Sequence, residues 1–446
     1  MSDGGLPLLP DVALVVPPRR RRLSREDAGE ALGAEYLAAV LRHRGHRVRV
    51  YDATLLGWDT ARLAHHLLGE QPGLIGLSLV LPRMVREGIR LAVLLRRGGY
   101  RGPVVAGGYT PSLAYREFLG EATGVDMVVV GEGEATFAEL VDRWRDGADP
   151  AAVGVPGVAR RGDDGCPELT PGRLLVDVDA LPFPDRDLLP AVLARGEPAA
   201  VYSSRGCWAR CSFCAIAAFY GLGRGPRWRG RSPENVVEEL GRLVRDYGVR
   251  QVNFVDDNWV GPGEKGRHRA YAFADLIEKQ AWRVEFMVSA RPEDVEVELF
   301  RRLKQVGLRR VFLGMESGVQ AALDRMGKGI AVADNLRALS VLEELGLEAI
   351  PGFILFDHGT TLGELEENLA FLARTGILSR AFNSRMDVLN RLEVYPGTPV
   401  EEELRARGLL RGDYLDYRYP FADWRVDLAY RVGRLAYSLG GLLGRR

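Results

Sequence analysis

The stretch Tyr202-Ser-Ser-Arg-Gly-Cys207-Trp-Ala-Arg-Cys211-Ser-Phe-Cys214 follows the apolar run 199–201 and carries three of the chain's four cysteines. A loop leaving the top of a strand therefore supplies the thiols. Cysteines crowded this closely make a poor disulfide framework but suit metal ligation in a reducing compartment. Three thiolates can hold three irons of a [4Fe-4S] cubane and leave the fourth open to a small molecule. Zinc is the competing reading. A closed structural zinc site takes four ligands, usually in two pairs, and neither a second Cys pair nor a nearby His is present. Cys166 stands alone in a polar, Gly-rich stretch and reads as an exposed thiol.

Outward from this loop, apolar runs end at Arg205, Asp256, Ser289, Glu316, Phe356 and about Tyr395, each followed by a helical pattern. Six βα units predict a partial (β/α)6 barrel of TIM-like type over 199–400, with functional residues at the C-terminal strand ends. Before it, short continuous apolar runs at 12–16, 48–51, 74–81, 104–106 and 127–130 alternate with amphipathic helices. That order predicts a parallel α/β domain of Rossmann-like type over 1–144, with both sheet faces covered. Residues 145–198 are rich in Pro and Gly and read as a linker, in which Leu181-Pro-Phe-Pro-Asp-Arg-Asp-Leu-Leu189 is ordered because its prolines fix φ. Residues 401–446 read as a short helical, aromatic-rich cap over the barrel mouth, with Tyr414, Tyr417, Tyr419, Trp424 and Tyr430.

With 446 residues and 46% apolar content the chain supports two or three cores. Lys+Arg and Asp+Glu balance at 60 each, which removes a general electrostatic reason to expect nucleic acid or an anionic membrane as partner. No apolar run approaches the roughly 20 residues that span a bilayer. The N-terminus lacks a secretory layout, so a cytoplasmic location is expected.

The Cys-x3-Cys-x2-Cys loop, with Phe213 before its last cysteine, resembles the hallmark of the radical S-adenosylmethionine superfamily. The resemblance implies that Cys207, Cys211 and Cys214 hold a [4Fe-4S] cluster whose free iron chelates S-adenosylmethionine. Reduction, by a partner such as flavodoxin or ferredoxin, then cleaves the sulfonium to a 5′-deoxyadenosyl radical. The strand ends extend the resemblance. Val255-Asp-Asp-Asn-Trp259 places Asp256 and Asp257 where the family contacts the methionyl amino group, Ser289 and Arg291 follow, and Gly314-Met-Glu-Ser-Gly318 places Glu316 and Ser317 for methionyl or ribose contacts. Ile350-Pro-Gly-Phe-Ile354, with Gly352, resembles the stretch bordering the adenine, and Tyr395-Pro-Gly-Thr-Pro399 the sixth-strand ending. The plain alternative for Asp257, Asn258 and Ser317 is helix capping.

Residues 12–144 resemble the cobalamin-binding domain found ahead of the barrel in the B12-type branch. Ser78-Leu-Val80 precedes Gly107-Gly108 as in the tail pocket of such domains. None of His43, His46, His65, His66, His268 and His358 lies in the Asp-x-His-x-x-Gly setting that supplies an axial ligand, so a bound cobalamin would have to do without one. The plain alternative for Ser78, Gly107 and Gly108 is close strand–helix packing. Arg19-Arg-Arg-Arg22 reads as a solvated loop, the alternative being an anion contact, and the carboxylates of Gly131-Glu-Gly-Glu134 read as structural or helix-capping.

These features predict an enzyme that abstracts hydrogen from a small-molecule substrate. By analogy with the branch, that substrate is a secondary metabolite of the kind met in antibiotic biosynthesis, and the outcome is cobalamin-dependent C-methylation. The alternative is radical dehydration of an aminoglycoside-type diol sugar, as in diol dehydratases that resemble the same branch. That reaction needs an acid/base near the radical carbon, for which His358, Glu393 and Tyr395 are the candidates. A non-catalytic iron–sulfur sensor is a third class, which would not need the strand-end contacts.

Overall fold

The computed structural model describes residues 10–19, 29–80, 82–148, 154–379 and 389–443, the last eight of these by backbone alone. The first sheet is built on β1 (Val12–Val16), five residues buried without exception. It joins β2 (Val48–Asp52), β3 (Leu74–Ser78), β4 (Val104–Gly107) and β5 (Met127–Val129) in the parallel order β2-β1-β3-β4-β5. In such an order the connections diverge on either side of β1 and β3, and the crevice beyond their carboxyl ends is the usual ligand position.

The stretch expected as a linker does more than connect. β6 (Val158–Arg161) and β7 (Pro167–Leu169) extend the first sheet with two antiparallel strands. The Thr170 hydroxyl fixes their start, accepting from the Val158 amide at 2.9 Å and donating to the Val155 carbonyl at 2.7 Å.

The second sheet is parallel in simple chain order: β8 (Ala199–Val201), then, past the short β9 (Ser204–Arg205) and β10 (Arg229–Gly230), β11 (Gln251–Phe254), β12 (Glu285–Ala290), β13 (Leu308–Glu316) and β14 (Glu348–Phe353). Successive neighbours joined by outer helices give the expected partial barrel, with two corrections. The first strand stops at Val201, and β9 turns out of the barrel to pair antiparallel with β10. Among the described residues the sixth position holds only a parallel bridge, Phe356 to Arg391. Behind the strands Phe254, Trp259, Phe273 and Phe286 pack edge-on or tilted, with centroids 5.4 to 5.8 Å apart.

The C-terminal region is more than a cap. Between the helices Pro399–Ala406 and Trp424–Leu443, the segment 407–423 lays Tyr414 against Phe118 in the first domain's core, centroids 6.5 Å apart, and Tyr419 and Phe421 into the barrel core. Buried ion pairs also join the domains: Arg186 reaches Glu30 at 2.7 Å and Glu239 at 2.5 Å. No helix of the described residues is long and apolar enough to cross a membrane.

Candidate active site

The cysteine loop is fastened at both ends. At its start Asp256, buried beyond β11, accepts from the Ser203 amide at 3.1 Å, the Ser203 hydroxyl at 2.7 Å and the Ser204 hydroxyl. Gly206 has φ +79, and a Cβ there would lie 1.8 Å from the Arg227 carbonyl oxygen, so this turn admits only glycine. Its amide donates to Asp257 at 3.1 Å. Toward the other end Ser212 donates its amide to the Met326 carbonyl at 2.8 Å and accepts from the Val400 amide at 3.1 Å. Cys214 then stands at the N-cap of the helix Ala215–Gly221.

Cys211 is buried and receives the Arg291 guanidinium, Nη1 3.5 Å from its sulfur. Burial raises the free thiols of Cys207 and of Cys214, the latter to about 12. A metal that binds thiolate displaces those protons. Among the described residues no group of three or more His, Cys, Asp and Glu is gathered to hold a single ion. A cubane does not require that gathering, because each thiolate takes a different iron corner. Three cysteines on one pinned loop, with a buried cation beside the middle one, fit that cluster.

Of the strand-end residues, some face the loop and some do not. Arg291 is held by the Lys328 carbonyl at 2.5 Å and by Glu293 at 2.6 Å, with its guanidinium 5.0 Å from the Trp208 ring centre. Glu316 lies at φ +63, a left-handed conformation that costs a non-glycine residue on the order of 1 kcal/mol or more. Its carboxylate meets the ammonium of Lys328 at 2.9 Å. Cys211, Arg291, Lys328 and Glu316 thus form one constellation, and Lys328 is its member that sequence reasoning missed. Gly352 pairs with Gly314 across β13 and β14, where a Cβ would strike the Phe312 ring at 2.8 Å. Ser289 is half-buried on β12 and its carbonyl accepts from the Trp259 amide. Phe213 packs against the barrel core.

Two expected contacts come out differently. The oxygens of Asp256 are engaged by the loop serines, which leaves it as the loop's anchor. Ser317 is fully buried, donating to Asn368 at 3.0 Å and accepting from the Val319 amide at 3.1 Å. Of the three acid/base candidates, His358 is buried beside Tyr419 and faces Glu403 at 3.3 Å, and the Tyr395 hydroxyl donates to Glu393 at 2.7 Å. Burial pushes the Asp257 carboxyl up to about 7.

The second half of the site is a cavity of about 420 Å³ between the domains, within the usual size range of small-molecule sites. Ser78, Gly107, Gly108, Gly131 and Gly133 line it from the first sheet's carboxyl edge, and Tyr202, Arg205, Phe219 and Tyr220 from the barrel side. Gly108 has φ +111, and a Cβ there would sit 2.5 Å from the Leu79 carbonyl oxygen. A Cβ on Gly131 would meet nothing within 4 Å, so glycine there leaves open space. None of the six histidines lines the cavity. A glycine-walled slot at the crevice of a 2-1-3-4-5 sheet fits a corrinoid held without a His ligand.

Glu132 and Glu134, expected to be structural or capping, tie this cavity to the cysteine loop. Arg205, two residues before Cys207, reaches Glu134 at 2.6 Å and Glu132 at 3.1 Å. Arg229 grips Glu132 at 2.8 and 2.9 Å. Burial disfavours the Glu132 carboxylate, but Arg229 and Arg205 outweigh it and hold its pKa below the ordinary value. Of the arginine run, Arg19 pairs with Asp52 at 2.9 Å, and Arg20, Arg21 and Arg22 lie outside the described residues.

Residues 22–141 match the family model of the B12 binding domain, and residues 201–372 that of the Radical SAM superfamily. An uncharacterized methyltransferase of Pyrococcus horikoshii is 29% identical over 408 residues, covering 90% of this chain and 84% of that protein. An anaerobic magnesium-protoporphyrin IX monomethyl ester cyclase of Synechocystis is 26% identical, over 70% of this chain and 62% of its own length. The fold matches the cobalamin-dependent S-adenosylmethionine radical enzyme OxsB, solved with aqua-cobalamin and S-adenosylmethionine bound. That match has a TM-score of 0.78 at 20% identity, over 97% of this chain and 67% of that one. The chain therefore spans about two thirds or less of the length of the last two.

Proposed function

We propose that this radical S-adenosylmethionine enzyme, which carries a B12 binding domain ahead of its barrel, methylates an unactivated carbon of a small molecule. When bound, the cluster and S-adenosylmethionine supply the hydrogen-abstracting radical, and the corrinoid supplies the methyl group. The observation that carries the reading is the interdomain cavity, one of whose walls includes Arg205 and so leads within two residues to Cys207. A methyl donor in that cavity and a radical source on that loop would face a common substrate.

The chain's own residues have distinct tasks in this scheme. Cys207, Cys211 and Cys214 hold the cluster. Arg291 sets a fixed positive charge beside Cys211, and Lys328 with Glu316 offers a paired cation and carboxylate to the zwitterionic methionyl end of the cosubstrate. Ser78 and the glycines at 107 and 131 leave room for the corrinoid, Gly108 lets the chain turn beside the Leu79 backbone, and Tyr202, Phe219 and Tyr220 shield the corrinoid's barrel side from water.

The test is anaerobic reconstitution with dithionite, hydroxocobalamin and S-adenosylmethionine bearing a deuterated methyl group. Methylation predicts a corrinoid spectrum on the purified protein, with 5′-deoxyadenosine and S-adenosylhomocysteine formed in equal amounts. Full turnover by protein free of corrinoid would sink the reading.

A further inference from the structure

Arg291 follows β12 directly, and its backbone is fixed before its side chain begins. The amide donates to the Asp294 carboxylate at 3.2 Å, which the Asn258 side-chain amide holds in turn at 2.7 Å. Pro292 confines the preceding residue to extended conformations, and Arg291 lies at φ −85 and ψ 152. From there the guanidinium reaches in three directions, and each nitrogen is engaged. Nε donates to Glu293 at 2.6 Å, Nη2 to the Lys328 carbonyl at 2.5 Å and Nη1 to the Cys211 sulfur at 3.5 Å. A fork fixed at its other two corners presents a directed donor to one sulfur.

Little water reaches that contact. Arg291 is 6% exposed and Cys211 8%, and the Trp208 ring, itself 39% exposed, lies 5.0 Å from the guanidinium on its outer side. Among the described residues Cys211 is the one cysteine of the three that accepts from a charged side chain. The cation is not isolated, because Glu293, its side chain 28% exposed, cancels part of its charge. Hydrogen bonds to the sulfurs and the local charge set the potential of an iron–sulfur cluster. A reduced cluster holds one more electron than an oxidised one, so a cationic donor at a ligating sulfur favours the reduced form. In a water-poor setting that preference is screened little.

We propose that Arg291 is a positioning residue for electron entry: acting through Cys211, it raises the reduction potential of the cluster held by the loop, and Glu293 opposes it. The step it eases adds one electron from an external low-potential carrier and breaks no bond. Arg291 and Glu293 thus form a balanced pair whose two halves move the cluster in opposite directions. The inference rests on the cluster part of the proposed function and is independent of methyl transfer.

The test is a redox titration of the reconstituted full-length protein, followed by electron paramagnetic resonance without S-adenosylmethionine, so that it reads the cluster and not turnover. Arg291→Met is expected to lower the ratio of reduced to oxidised cluster at a fixed potential about tenfold, as loss of a charge-assisted contact would, which for one electron is a midpoint about 59 mV more negative. Arg291→Lys, which restores the charge without the fork, should recover part of that loss. Glu293→Gln keeps an acceptor for Nε and should move the midpoint the other way. Arg302→Gln, on the outer helix Val297–Gln305, is the control for a remote cation and should leave it in place. Midpoints that do not move, or that move in the same direction for Arg291→Met and Glu293→Gln, would reduce Arg291 to a structural tie and overturn the proposal. If Arg291→Met takes up no cluster, Glu293→Gln decides alone: a more positive midpoint supports the proposal and any other result overturns it. Opposed shifts in protein that never methylates would remove the methyl-transfer reading and leave this role. Methylation with unmoved midpoints would remove this role alone.

Discussion

The cysteine loop and the interdomain cavity are opposite solutions to holding a cofactor. The loop works by side chains: three thiols, a buried arginine and two serines locked to Asp256. The cavity works by their absence, through Gly107 and Gly131, where no side chain fills the space, and Gly108, which lets the chain pass close to the Leu79 backbone. A site made of side chains fails when one donor is removed, and a site made of space fails when one atom is added. Arg205 belongs to both, lining the cavity while it leads into the loop, so the two failures need not stay separate.

The largest effect is expected for Cys211→Ala, which should abolish the visible cluster absorption and all 5′-deoxyadenosine formation. Persistence of either would overturn the assignment of the loop. Next is Arg205→Met, which leaves Glu134 buried without its cation. Loss of one partner of a buried pair typically costs about 3–5 kcal/mol, to be read by denaturant unfolding. A loss below about 1 kcal/mol would show that the link between the regions is weak.

Gly108→Ala places a Cβ against the Leu79 carbonyl at an unfavourable φ. It should cost about 1–3 kcal/mol locally and reduce corrinoid retention while the cluster spectrum stays intact. Loss of the cluster as well would break the separation between the two regions. The smallest effect concerns pH. Burial, reinforced by neighbouring Glu30, raises the Glu35 carboxyl far above its ordinary value, so the folded protein keeps a proton that the unfolded chain releases. Stability should therefore fall as pH rises above the ordinary carboxyl range toward the raised value. Glu35→Gln should flatten that slope in thermal midpoints taken at about pH 6 and about pH 9.

Legibility in the sequence follows the same division. The loop was readable because its chemistry is written in adjacent residues of rare types. The parallel strands of both sheets were readable from their apolar runs. Arg205 was not, since its partner Glu134 is 71 residues away and nothing local marks the pair. Ser317 was misplaced because its hydroxyl is taken by Asn368, 51 residues away, a partner that nothing local marks. β6 and β7 were hidden in a Pro- and Gly-rich stretch whose pairing depends on a sheet already formed. Lys328 carried no motif, and its contacts with Glu316 and Arg291 distinguish it only in the folded chain.

The segment that carries Tyr414 has a consequence for the order of events at the ribosome. The last strand of the first sheet is complete at Leu169, but the ring that packs against Phe118 is translated only after the whole barrel. Domains generally fold as they emerge, so the nascent first domain must wait with that apolar seat uncovered. Its final closure comes from the far end of the chain, and a chain released before Tyr414 would display the uncovered surface to chaperones and proteases.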